Sequence, residues 1–254
     1  MLRLWPKQIY VGLFDNIGWI GPRAGNQTLY ETIRHGDAAT PGQQLDAMLT
    51  TLERPFAQRS KLIVGLSVRN TLCIAMPWND ALRSDVERNA YAKAHFNQVG
   101  LDVGEEHVIY ADYREYGGTG FAYAVSRSVL GEICTVAAKH RMEIVNAMPL
   151  AAIAYCAPRR RQELWRVLLE DSAVSLLTFS RDCVRTFDVE PIFGGATPAL
   201  RRLLTRVSDC AGEPAMVEVW RACVGGDGVE DVIKSFAAKA TMRSLTPNDL
   251  RKFQ

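Results

Sequence analysis

Two stretches of this chain run through one order of elements, and that duplication limits the fold more than any single motif does. Apolar runs joined by short polar turns read as strands in hairpins, whereas apolar residues three and four apart read as a helix. From Ile9 the order is an apolar run to Phe14, the turn Asp15-Asn16, a second run Ile17 to Ile20 and a third strand at Thr28 to Ile33. Pro41 then opens a helix that carries Leu45, Met48, Leu49 and Leu52 and ends near Pro55, and a continuous apolar strand, Lys61 to Val68, follows. From Leu164 the order returns as strands at Leu164 to Leu169, Val174 to Phe179 and Val184 to Val189, with Ser180-Arg181-Asp182 turning between the last two. The helix Pro198 to Cys210 and the strand Ala215 to Trp220 complete it. The expected fold class is therefore α/β in two lobes, and 254 residues accommodate two lobes of about 100 to 150 residues each. The break falls at Pro158, ahead of Arg159-Arg160-Arg161, giving a first lobe of residues 1–157 and a second of 158–254. The arginine triplet reads as a solvated loop, with an acidic partner as the alternative.

Between the two series lies a further block. Arg69-Asn70 turns into a strand through Leu72, Ile74 and Met76, the segment stops at Pro77-Trp78, and Asn79 or Asp80 caps a helix running to about Gln98. A strand His107 to Asp112, the turn Gly117-Gly118-Thr119-Gly120 and a strand Phe121 to Val125 come next. Ser126 caps a helix with Val129, Ile133, Val136 and Ala137, followed by a strand Met142 to Val145 and a short helix Pro149 to Cys156. The last 25 or so residues give only weak signals.

Composition names no ligand. Thirty Lys and Arg stand against 28 Asp and Glu, a formal charge of +2 that is too balanced to point to nucleic acid or an anionic membrane surface. The six cysteines, Cys73, Cys134, Cys156, Cys183, Cys210 and Cys223, form no CxxC pair and read as small core residues of a reducing compartment. The segment Met1 to Lys7 has no apolar stretch of signal-peptide length, and no apolar run reaches 18 residues, so a cytosolic location without direct membrane insertion is expected. GxxxxGK[ST], GxGxxG, HExxH and GxSxG strings are absent, and His35, His95, His107 and His140 are scattered without a spacing that pairs them. Glu105-Glu106 and Glu170-Asp171 are adjacent carboxylates; neighbours in a strand face opposite sides, so neither pair reads as an acid/base couple, and both are assigned to loops. No catalytic residue and no metal site is assigned.

The duplicated order resembles the actin-like (ribonuclease H-like) fold. The stretch Leu62 to Cys156, with Met76-Pro77-Trp78 ahead of the helix Asp80 to Gln98, resembles PilM-type pilus assembly proteins and the cytoplasmic domain of the type II secretion L component. Arg185, followed by Pro191-Ile192-Phe193-Gly194-Gly195-Ala196-Thr197 and a helix, is similar to the same families. The resemblance implies a small inserted α+β subdomain at about residues 62–145 of the first lobe. It implies a non-catalytic scaffold that binds a short cytoplasmic peptide of an inner-membrane pilus or secretion assembly protein, and it is compatible with a homodimer.

An actin-like nucleotide site needs a Gly-containing turn with an Asp between paired strands, so that backbone N–H groups and a carboxylate-held magnesium meet the phosphates. Asp15 with Gly194 and Gly195 would be the cofactor-binding residues if the chain bound ATP and magnesium, which is the alternative reading. The turn Phe14-Asp15-Asn16-Ile17-Gly18 departs from Asp-x-Gly order, and the second turn, expected near Val174 to Ser180, has neither Asp nor Gly. Gly225-Gly226-Asp227-Gly228 reads as a loop with no helix behind it. A metabolic enzyme whose site is built from loops is the remaining alternative.

Overall fold

The computed structural model describes residues 8–24, 27–28, 31–35, 39–51, 60–157, 163–181, 183–222, 228–237, 239–246 and 249–250. The first sheet contains β1 (Gln8–Leu13), β2 (Ile17–Ala24), β3 (Gln27–Thr28), β4 (Glu31–Arg34), β5 (Ser60–Leu66) and, after the insertion, β9 (Met142–Pro149). Its order is β3-β2-β1-β5-β9, with β4 also on β2. β1 pairs antiparallel with β2 and parallel with β5, and β5 pairs parallel with β9. The second sheet repeats this plan. β10 (Leu164–Leu169), β11 (Ala173–Ser180), β12 (Cys183–Pro191), β13 (Met216–Arg221) and β14 (Ala240–Ser244) lie in the order β12-β11-β10-β13-β14. The three hairpin strands are antiparallel, and β13 and β14 add parallel to β10 and β13.

Side chains alternate across a strand, so each buried sheet needs cover on both faces. Ile9, Val11 and Leu13 of β1 point to the side covered by α1 (Pro41–Thr51) and α3 (Arg127–Lys139). Trp165, Val167 and Leu169 of β10 point to the side covered by α5 (Ala196–Ala211) and α6 (Val229–Lys234). Tyr10 of β1 and Leu164 and Leu168 of β10 point inward, onto a shared core built around α4 (Leu150–Cys156). Helix α4 lies between two sheets and therefore has no polar face; every residue from Leu150 to Tyr155 is buried. A buried guanidinium enters this layer. Arg166 is fully buried, pairs with Glu218 at 2.7 Å, donates to the Ala154 carbonyl of α4, and lies over the ring of Trp220. A guanidinium out of water needs such partners, and these tie α4 to the second sheet.

The inserted subdomain is a three-stranded antiparallel sheet, ordered β6-β8-β7, of β6 (Thr71–Met76), β7 (His107–Asp112) and β8 (Gly120–Ser126), with α2 (Asp85–Gln98) on one face. It covers less than the expected 62–145, because β5, α3 and β9 belong to the first lobe's own layers. Ser84, not Asn79 or Asp80, caps α2: its hydroxyl accepts from Glu87 N–H while the Glu87 carboxylate accepts from Ser84 N–H. Asn79 instead closes a local turn onto Ala81 N–H. Of the cysteines, Cys73 is core, but Cys134 and Cys210 are exposed on helices, which corrects the reading of all six as buried. The last part of the chain holds α6 and β14, which the weak signals there did not mark. Leu52, Pro55, Pro158, the arginine triplet, Asp182 and Cys223 lie outside the described residues, as does the segment Met1 to Lys7.

Gly12 faces Trp19 across the β1–β2 pair, and a Cβ at Gly12 would sit 2.5 Å from the buried indole ring. Gly12→Ala should destabilise the protein by about 1–3 kcal/mol through overpacking. Urea unfolding followed by circular dichroism measures it, and an unchanged midpoint would show that the ring moves aside.

Candidate functional site

Both lobes turn their first hairpin alike. Phe14 N–H donates to the Ile17 carbonyl at 3.1 Å, and Glu170 N–H donates to the Ala173 carbonyl at 3.0 Å. Beside each hairpin the next strand leaves at the same level, Ser67 N–H donating to Leu13 and Ala222 N–H to Leu169, both at 2.9 Å. Phe14, Asp15 and Asn16 thus correspond to Glu170, Asp171 and Ser172. The second cleft turn is therefore Glu170 to Ala173, and Val174 to Ser180, where it was expected, is the body of β11. The turn does hold an Asp, which corrects the expectation that it holds none.

The two turns meet across a cleft of about 660 Å³ whose lining includes Asp15, Asn16, Arg69, Glu132, Asp171 and Ser172. Asp171 reaches over from the second lobe. Its Oδ1 accepts from Asp15 N–H at 3.3 Å and its Oδ2 from Asn16 N–H at 2.5 Å. Glu170, buried beside it, accepts from the Ser67 hydroxyl at 2.5 Å and from Val68 N–H at 3.1 Å. Ser67 also caps the 3₁₀ turn Val68–Asn70, which carries Arg69 to the cleft. There the guanidinium pairs with Asp15 at 2.6 Å, and Gln44 of α1 donates to the Asp15 carbonyl at 2.7 Å.

The sequence-expected residues are not all brought together. Asp15 lines the cleft; Gly194 and Gly195 do not, although Ile192, just before them, does. Their φ angles of 74° and 118° suit the turn from β12 into α5, for which Gly195 is the N-cap. Arg185 is bound to the Ser180 hydroxyl on the exposed side of β12. Gly225-Gly226-Asp227 lies outside the described residues, while Gly228 caps α6, so a helix does follow. Glu170, Asp171 and Ser67 are the cleft residues that sequence reasoning missed. The signal was there: aligning the two series of strands puts Asp171 opposite Asp15.

Compared by sequence, the chain matches no family model and no curated protein. Compared by structure, it is similar to a Bacteroides thetaiotaomicron protein with actin-like ATPase fold and unknown function (TM-score 0.68, 7% identity, 96% of this chain and 95% of that one). It is also similar to the PilM-PilN type IV pilus biogenesis complex (0.67, 9%, 97% and 92%). A third similar structure is the cytoplasmic domain of EpsL, an inner membrane component of the type II secretion system of Vibrio cholerae (0.62, 8%, 97% and 93%). The chain has the actin-like fold.

In the cleft as built Asp171 already engages the two N–H groups of the first turn, and among the described lining residues Asp15, Asp171 and Glu132 stand with one guanidinium, that of Arg69. Among the described residues no group of three or more His, Cys, Asp or Glu side chains is placed to hold a metal ion.

Burial pushes the Glu170 carboxyl up from 4.5 to about 8, with the neighbouring Asp171 and Asp15 charges adding to the rise against the hydrogen bonds from Ser67 and Val68. Because folding raises this pKa, the carboxyl's contribution to stability is complete below 4.5 and is lost as pH climbs to about 8. Glu170→Gln stays neutral throughout. Relative to it, the wild-type protein should lose stability over that range at up to about 1.4 kcal/mol per pH unit. Urea unfolding at a series of pH values reads this, and parallel profiles for the two proteins would refute it.

Proposed function

We propose that the chain is a non-catalytic cytoplasmic scaffold of a type IV pilus or type II secretion assembly, holding a short cytoplasmic segment of an inner-membrane partner. The observation that carries this reading is a groove distinct from the cleft. It has a volume of about 520 Å³ and lies between the inserted subdomain and the first lobe, lined by Tyr110, Phe121, Tyr123, Met148, Ala152 and Tyr155 with Asp85 and Asp112 at its polar side. β7 is the end strand of the inserted sheet and β9 the end strand of the first sheet, so two strand edges flank it. An extended peptide binds such a place by adding its backbone to an edge and seating alternate side chains in the apolar floor. Tyr110 is half exposed and stacks on Tyr123 with ring centroids 5.0 Å apart, which leaves an aromatic surface for those side chains.

The two similar structures that belong to pilus and secretion machines, PilM-PilN and the EpsL cytoplasmic domain, supply the cellular context of the proposal. Among the described residues no helix is long and apolar enough to cross a membrane, so on this reading the partner provides the membrane attachment. The reading assigns no nucleotide and no metal to the cleft.

Tyr110→Ala removes an exposed aromatic from the groove without touching a core cluster. It should weaken capture of an inner-membrane assembly protein from detergent-solubilised membranes roughly tenfold to a hundredfold, the loss expected of an aromatic anchor. Wild-type protein that recovers no such partner, or a variant that recovers it equally well, would overturn the assignment. Saturating Mg-ATP should leave the melting temperature where magnesium alone leaves it, and a clear ATP-specific rise with hydrolysis would favour an ATPase instead.

A further inference from the structure

The cleft has the donors of an anion site, and the anion comes from the chain itself. Consecutive backbone N–H groups at a turn form a concavity that suits an oxyanion. Here they belong to Asp15 and Asn16, and Asp171 gives one oxygen to each. Arg69, carried by the neighbouring 3₁₀ turn Val68–Asn70, stands beside them as a cation paired with Asp15. The contacts also have one sense. Asp15 N–H, Asn16 N–H, the Ser67 hydroxyl and Val68 N–H are all first-lobe donors, and the acceptors are the carboxylate of Asp171 and the carboxyl group of Glu170 in the second lobe. A ligand oxyanion seated between two lobes would be met by donors in this way. Among the described residues of the lining Arg69 is the one Lys or Arg, so none of them supplies a second cation to bring a free anion in competition with Asp171.

We propose that Asp171 is a built-in substitute for a small oxyanion such as phosphate, occupying the N–H pair of the Asp15–Asn16 turn and fixing the two lobes to each other without a bound ligand. The inference stands apart from the peptide groove, and its test needs no partner. Removing the carboxylate leaves two inward-facing N–H groups beside a guanidinium, which is a vacant oxyanion site. Inorganic phosphate should then fill it in the variant and not in the wild-type protein.

The experiment is thermal unfolding of the full chain, wild type and Asp171→Ala, titrated with sodium phosphate against sodium chloride of matched ionic strength. Phosphate stabilises most proteins by exclusion from their surface, so the readout is the difference between the two proteins. Asp171→Ala should melt roughly 4–8 °C below wild type in chloride, and phosphate should restore most of that loss along a saturating curve. Wild type should show only the general, non-saturating rise. Calorimetric titration with inorganic phosphate should give binding heat with the variant alone. Equal phosphate responses in the two proteins, or a destabilised variant that phosphate does not rescue, would overturn the proposal. If Asp171→Ala does not fold, Asp171→Ser, which keeps an oxygen for one N–H, carries the same titration with the same two readings.

Discussion

The register of the two lobes depends on four first-lobe donors at the cleft that meet acceptors of the second lobe. Each lobe has its own helices and its own buried outer core, so neither needs the other for cover on that side. What sets their mutual position is the inner layer around α4 together with the polar seam at the cleft, where first-lobe donors meet Asp171 and Glu170. Apolar packing is non-directional and tolerates sliding; a bidentate carboxylate on two adjacent N–H groups does not. The apolar layer supplies non-directional attraction between the lobes, and the two carboxyl groups supply its register.

Most of the architecture was legible in the chain because its signals are local. The hairpin at Asp15-Asn16, the helix from Pro41 and the strands from Leu164 each declare themselves by apolar spacing and turn residues, and the structure has β1, β2, α1 and β10 there. Ser126 capping α3 was readable for the same reason, since its hydroxyl accepts from Ser128 N–H two residues on. β14 was not. It is short and largely exposed, and it is a strand because β13 offers it a parallel edge, a reason invisible in five residues of sequence.

The cleft was less legible, and for a different physical reason. As adjacent carboxylates, Glu170 and Asp171 are badly placed to act together on one substrate. Their role depends on partners more than 100 residues away: Asn16 lies 155 positions from Asp171, and Ser67 lies 103 from Glu170. Spacing rules cannot pair such residues, but the duplication can. Once the two hairpins are superposed as copies, Asp171 falls opposite Asp15, and a turn facing a turn across a cleft becomes the place to look. Gly194 and Gly195 drew notice as glycines near a helix start, and their positive φ angles are sufficient reason for glycine there without any ligand.

Cleft and groove share a root. β5 ends at Leu66, Ser67 and Val68 bind Glu170, Thr71 opens β6, and β6 leads into the inserted sheet whose β7 and β8 wall the groove. The Thr71 hydroxyl donates to the Ser67 carbonyl, so the first residue of the insertion is bonded to the residue that meets Glu170. On its far side the insertion is held by Phe121, which packs between Tyr155 of α4 and Phe187 of β12, and by Arg114, which donates to the Tyr155 carbonyl at 3.1 Å. The groove wall is thereby fastened at both ends to elements that the cleft and the α4 layer hold in place. A peptide site of this kind gains affinity by being formed before its ligand arrives, because less motion is lost on binding. A carboxylate already seated in the cleft would keep the groove in one shape at all times.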